Sequence, residues 1–246
     1  MRGLYDQRLG LVLWTAGIAA LAAISVNLAK TIVQPLLAIP ELRLYFASFV
    51  HGDLYASFLG FIWFGIAQLL LAAFAIAQVA RWSAEDSDGR LEAVLSAPHR
   101  RTAVVLERAA VLAIGAFVIA AVSGVVVGLE SYRQSIDLNT VYLIDASLLL
   151  VPFTLVFAAL GALLASRVPR ATVAVLGGFA FAGYFITQLG PLFQWPAWVL
   201  DLSVFKLYGT PLTDGIDQTG LTIMLLVVVA GFAASALAMQ RREVGA

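Results

Sequence analysis

Six stretches of this chain contain no Asp, Glu, Lys or Arg: residues 9–29, 54–80, 109–129, 146–166, 171–200 and 218–240. Each is at least 20 residues long. A helix needs about 20 apolar residues to cross a hydrocarbon layer of roughly 30 Å. Backbone N–H and C=O groups find no water there, so each span must pair its own polar groups and is expected to be helical. A membrane β-barrel would show strands of about 10 residues alternating apolar and polar. These runs do not alternate. The chain of 246 residues is 61% hydrophobic and 12% charged, about half the charge of a typical soluble domain. Such a chain is no soluble enzyme, disordered segment or nucleic-acid binder with a basic surface. The expected fold is an all-α membrane protein, one domain over 1–246 with six transmembrane helices.

The interruptions between spans are informative. Gly190 and Pro191 mark the end of the fifth helix, since proline lacks the N–H and restricts its predecessor. The segment that follows holds Pro191, Pro196 and Pro211 with Trp195 and Trp198. Tryptophan favours the lipid–water boundary, so this segment reads as short interfacial helices or a re-entrant piece. Residues 31–53 are apolar but read as broken by Pro35 and Pro40. The first span follows Arg2 and Arg8, is too long for a signal-peptide core, and is expected to stay as an anchor. Pro152 is expected to kink the fourth span, and Gly177, Gly178 and Gly183 to permit close packing of the fifth.

The formal net charge is zero, which conceals a polarised molecule. Six spans put both termini on one side. With that side inside, Arg2, Arg8, Arg81, Arg90, Arg100, Arg101, Arg108, Arg167, Arg170, Arg241 and Arg242 are cytosolic. Only Lys30, Arg43, Arg133 and Lys206 are external. The bias of basic residues toward the inside orients membrane proteins, so the expectation is a multi-pass protein of the cytoplasmic membrane with both termini cytosolic. No charge lies deep within a span. Asp145 comes nearest and reads as a solvated helix end, which argues against an ion-coupled pump with buried carboxylates.

Several chemistries are missing. The only lysines, Lys30 and Lys206, do not follow glycine, so there is no phosphate-binding loop of the G-x-x-x-x-G-K type. The only histidines, His51 and His99, fall on opposite sides, and cysteine is absent. No metal site, no catalytic residue and no cofactor of the chain's own is expected.

The densest charge lies at 81–109, RWSAEDSDGRLEAVLSAPHRRTAVVLERA. Glu85, Asp86, Asp88 and Glu92 come first, and Arg90, Arg100, Arg101 and Arg108 are interleaved or follow. Residues 89–96 read as a short amphipathic helix capped by Ser87 or Asp88. Leu91, Val94 and Leu95 share one face, and Pro98 ends it. An ordinary charged loop that only sets topology would also fit.

An acidic stretch leading into G-x-x-E-x-x-L-x-x-P and then basic residues resembles the cytosolic segment of type-2 ABC exporter permeases. Here the pattern is Gly89, Glu92, Leu95, Pro98, then Arg100 and Arg101. Arg90 stands where that family usually has threonine. The plan of six spans, a basic N-terminus and a basic tail is also similar. The resemblance implies a permease subunit without its own nucleotide site, whose coupling segment (82–104) docks on a separate ATPase that binds ATP and Mg. The docking residues would be Glu85, Asp86, Asp88, Gly89, Arg90, Leu91, Glu92, Val94, Leu95, Pro98, Arg100 and Arg101. It further implies a second permease copy or paralogue, meeting through spans one, two and five, and export rather than import. Asn27, Gln68, Thr187 and Gln188 are the polar candidates along the path between the copies. A path without charges suits an apolar or amphipathic cargo such as an antibiotic, lipid or peptide. Two other readings stay open from the residues: a membrane-embedded lipid-modifying enzyme, and a non-transporting anchor or regulatory subunit.

Overall fold

The computed structural model describes residues 8–37, 53–87, 101–191 and 193–241. Among them, six helices are long and apolar enough to cross a membrane. Helix α1 covers Arg8–Leu37. Helix α2 is built of Leu54–Leu59, a π-helical turn Gly60–Phe64, and Gly65–Ser87. Then come α3 (Arg101–Arg133), α4 (Thr140–Ala165) and α5 (Thr172–Leu189). Two short helices follow, α6 (Ala197–Leu200) and, after a 3-10 turn Val204–Tyr208, α7 (Pro211–Asp214). Helix α8 closes the fold over Gln218–Arg241.

One expectation is corrected by the helix bounds. Pro35 does not break the chain but lies inside α1. A proline removes only its own bond to the carbonyl four residues earlier, here that of Thr31, and the neighbouring helical bonds can hold. Helices α2 and α3 also outrun their charge-free stretches, to Ser87 and from Arg101. Charge marks where a span meets water, but a helix continues into water wherever its own backbone bonds hold it. Gly190 does end α5, its N–H bonded back to the Ile186 carbonyl.

The centre of the molecule is α4. It packs against α2, α3, α5 and α8, as well as the 3-10 turn and α7. In lipid, apolar burial gives helices little reason to associate, so close van der Waals packing must do so, and small residues allow it. A Cβ placed on Gly161 of α4 would stand 2.6 Å from Val79 Cγ2 of α2 and 3.0 Å from Leu176 Cδ2 of α5. One placed on Gly231 of α8 would stand 2.9 Å from Ala159 Cβ of α4. Within this chain, Gly183 of α5 packs closely, lying against Ser203 and Phe205. Gly177 and Gly178 meet nothing within 4 Å and face away from the bundle.

The segment between α5 and α8 combines both expected forms. Its first half is superficial: Phe193 and Trp195 stack with centroids 6.3 Å apart, and Trp198 and Leu202 are exposed. Its second half turns inward. Ser203 accepts a bond from Phe205 N–H (3.2 Å) and donates to the Gly183 carbonyl (2.7 Å). Phe205 and Tyr208 are buried among Phe153, Phe157 and Phe64. The Tyr208 hydroxyl donates to the Ala146 carbonyl of α4 at 2.6 Å, and burial pushes its pKa up, so it remains a neutral donor. Irregular backbone at depth is tolerated where protein surrounds it. Gly209 and Gly215, at φ +66° and +79°, make the bends that only glycine takes without strain. Tyr208→Phe removes one buried hydrogen bond and keeps the ring. It is expected to cost about 1 kcal/mol, read as a lowered unfolding midpoint in detergent.

Candidate functional site

The expected docking segment lies largely outside the described residues. This holds for Asp88, Gly89, Arg90, Leu91, Glu92, Val94, Leu95, Pro98 and Arg100. Of Glu85 and Asp86, in the last turn of α2, and Arg101, which opens α3, the helical backbone alone is described. The backbone on both flanks of the segment is helical. Ser87 lies six residues beyond Arg81 and Arg101 seven before Arg108, so both helices run on for about 9–10 Å past those arginines at 1.5 Å per residue. The two helices are joined near this level, where the Arg108 guanidinium sits 5.8 Å from the centroid of the Trp82 ring. Ala162 and Ala165 of α4, the residue Ser166 that caps it, and Phe232 and Ser235 of α8 complete a small pocket around the pair. Ser235 donates to the Ala162 carbonyl at 3.1 Å, fastening α8 to α4 there. Sequence reasoning did not find the Trp82–Arg108 contact. A basic residue and an aromatic 26 positions apart carry no signal until the two helices are paired.

The four polar path candidates are not gathered in one place. Asn27 accepts a bond from the Gln134 side chain at 2.7 Å, and Lys30 donates to the Gln134 carbonyl. Both therefore tie α1 to the turn after α3. Thr187 donates to Ser203 at 2.7 Å and helps hold the inward turn. Gln68 and Gln188 remain, on α2 and α5. The Gln188 side chain lies against Gly65, 2.5 Å from where a Cβ there would stand. Gln68, one turn along α2 on the same face, is 7% exposed.

The described charges sort to the two ends of the bundle. Arg8, Arg81, Glu107, Arg108, Arg167 and Arg170 lie at one, while Lys30, Asp53, Glu130, Arg133, Asp137, Asp201, Lys206, Asp214 and Asp217 lie at the other, with Asp145 in the second turn of α4 toward that same end. At the acidic end an open pocket of about 430 Å³ is lined by Asp53, Asp137, Asn139, Tyr142 and Thr213. Asp53 and Asn139 are helix caps there, accepting bonds from Tyr55 N–H and from Val141 and Tyr142 N–H. No group of three or more metal-ligating side chains occurs among the described residues.

A bundle of six long apolar helices with its described ionisable groups toward the two ends is that of a multi-pass membrane protein. A family model described as the C-terminal domain of the multidrug efflux system permease Rv1217c matches residues 4–240. The chain belongs to that family and is a permease domain of a multidrug efflux system. No curated protein matches it.

Proposed function

We propose that this chain is the membrane subunit of an ATP-driven type-2 ABC exporter, powered by a separate ATPase that binds the ATP and Mg. The observation that carries the reading is the position of the motif Gly89-x-x-Glu92-x-x-Leu95-x-x-Pro98. It links two helices that both continue about two turns past the basic end of the bundle. A knob held by two long helices can receive a push and pass it inward. Through α2 the push reaches α4 and α5, and through α3 it reaches α1, α4 and α8. Leu91, Val94 and Leu95 would fill an apolar groove, while Arg90, Glu92, Arg100 and Arg101 form a charged rim that sets register. The basic end is then cytosolic and carries both termini.

Export also needs a second six-helix unit, since α4 occupies the centre of this bundle. The outward faces of α1 and α5 suit that contact. Gly17, Gly177 and Gly178 stand open there with no neighbour within 4 Å, and small residues let membrane helices approach closely. The family's description as a C-terminal domain agrees with pairing to a further unit. The cargo is apolar or amphipathic, because the faces of α1 and α5 offer Leu13, Ile24, Phe181 and Phe185 rather than charge.

The test is copurification with the ATPase encoded beside this gene. The chain is expected to retain that ATPase through detergent extraction and to raise its ATP hydrolysis. Separate elution of the two proteins, with hydrolysis unchanged by the chain, would contradict the proposal.

A further inference from the structure

The seam between α2 and α5 runs antiparallel. At its basic end Val79 and Leu176 close together on Gly161, and about four turns further Gly65 meets Gln188. Gln68 belongs to the same α2 face. Neither Gln68 nor Gln188 makes a hydrogen bond to any described residue, unlike Asn27 and Thr187. Among the described residues, the buried polar atoms sealed away without a partner belong to Trp63, Gln78, Ser83 and Ser131. Gln68 is not among them although its side chain is more than nine-tenths buried, so its amide opens onto the surface of the chain. An unpaired amide in an apolar medium costs several kcal/mol on the scale of about 4–8 kcal/mol for transfer to cyclohexane. Two of them, one turn apart on the same seam, call for a partner that enters from outside the bundle.

We propose that Gln68 and Gln188 form a cargo subsite that selects amphipathic molecules bearing an uncharged hydrogen-bonding group, such as a carbonyl or amide. The inference deepens the exporter reading and rests on it for the word cargo. A glutamine amide both donates and accepts, so the pair accommodates carbonyl, hydroxyl and amide groups alike. It offers no charge to neutralise an ion. An apolar surface gives general affinity and a few polar groups give orientation, and the neighbouring Phe181 and Phe185 supply exposed aromatic surface on α5.

The test uses the full chain in lipid nanodiscs and two membrane-soluble dyes. Nile red carries a carbonyl acceptor, and diphenylhexatriene has no hydrogen-bonding group. Binding is read as the saturable fluorescence change after subtraction of protein-free nanodiscs. Gln68→Leu and Gln188→Leu are each expected to raise the Kd for Nile red about five- to tenfold, the scale of one hydrogen bond in a membrane. Diphenylhexatriene binding should not change, and Gln68→Asn should recover part of the Nile red affinity. Equal effects on both dyes, or none on either, would overturn the proposal. So would a change in particle mass of the leucine variants, which would show the amides pairing with a second copy instead. Glutamine-dependent binding without stimulation of the partner ATPase would leave the subsite standing and remove the exporter reading. Full stimulation with Nile red binding unchanged in the variants would do the reverse.

Discussion

Leu95→Asp is expected to reduce cargo-stimulated ATP hydrolysis by the assembled complex to the level of the ATPase alone. In the proposed docking helix, the exchange would put a carboxylate on the apolar face formed by Leu91, Val94 and Leu95. Burying an unpaired charge in a groove built for leucine is far more costly than the leucine contact is favourable. A central apolar anchor contributes about 2 kcal/mol or more to binding, which is a factor of about 30 in affinity. Residue 95 lies outside all six spans, so insertion and folding should be unaffected, visible as an unchanged elution profile and yield. Glu92→Ala, which alters only the rim, is expected to weaken coupling less. Ala93→Asp would place the same charge on the opposite side of the proposed helix and should behave as the unmodified chain. Wild-type stimulation by Leu95→Asp would show that the segment is an ordinary loop.

The second large effect concerns the fold. Phe205→Ala is expected to destabilise the bundle by about 3–5 kcal/mol, the range for emptying a buried phenylalanine site. Phe205 is 3% exposed. Its ring meets those of Phe153, Tyr184 and Phe157 with centroids 5.1, 5.5 and 5.7 Å away, all edge-on. It stands between α4 and α5, and its own backbone is held by Ser203. Removing the ring opens a cavity that two rigid helices cannot collapse. Thermal unfolding in detergent should show a large drop in midpoint. Trp198→Ala, at an exposed position of the same segment, should show almost none. Equal shifts for the two would mean that the inward turn does not carry the packing described here.

The six spans were legible because lipid imposes a blunt rule: no charge for about 20 residues. Nothing so blunt marks where a helix stops once it leaves lipid, and so the extensions of α2 to Ser87 and of α3 back to Arg101 were not foreseen. Pro35 misled because a proline removes one backbone bond and need not end a helix. Trp195, Trp198 and the prolines announced an irregular segment, and the superficial half matches that reading. The burial of Phe205 and Tyr208 was not readable, because it depends on the groove between α4 and α5 rather than on local pattern. The candidate site shows the same division. The docking motif is a local pattern and was read from residues 85–101. The separation of Asn27 and Thr187 from Gln68 and Gln188 arises from contacts with Gln134, Ser203 and Gly65, each far away in the chain.

The central claim is that the energy for transport comes from a separate ATPase through the segment between α2 and α3. The most direct measurement is Nile red uptake into proteoliposomes holding the chain, with or without its ATPase, in the presence and absence of MgATP. The account predicts uptake only with both proteins and MgATP together, and its loss with Leu95→Asp. Equal uptake without the ATPase or without MgATP, or no uptake when all components are present, would contradict it.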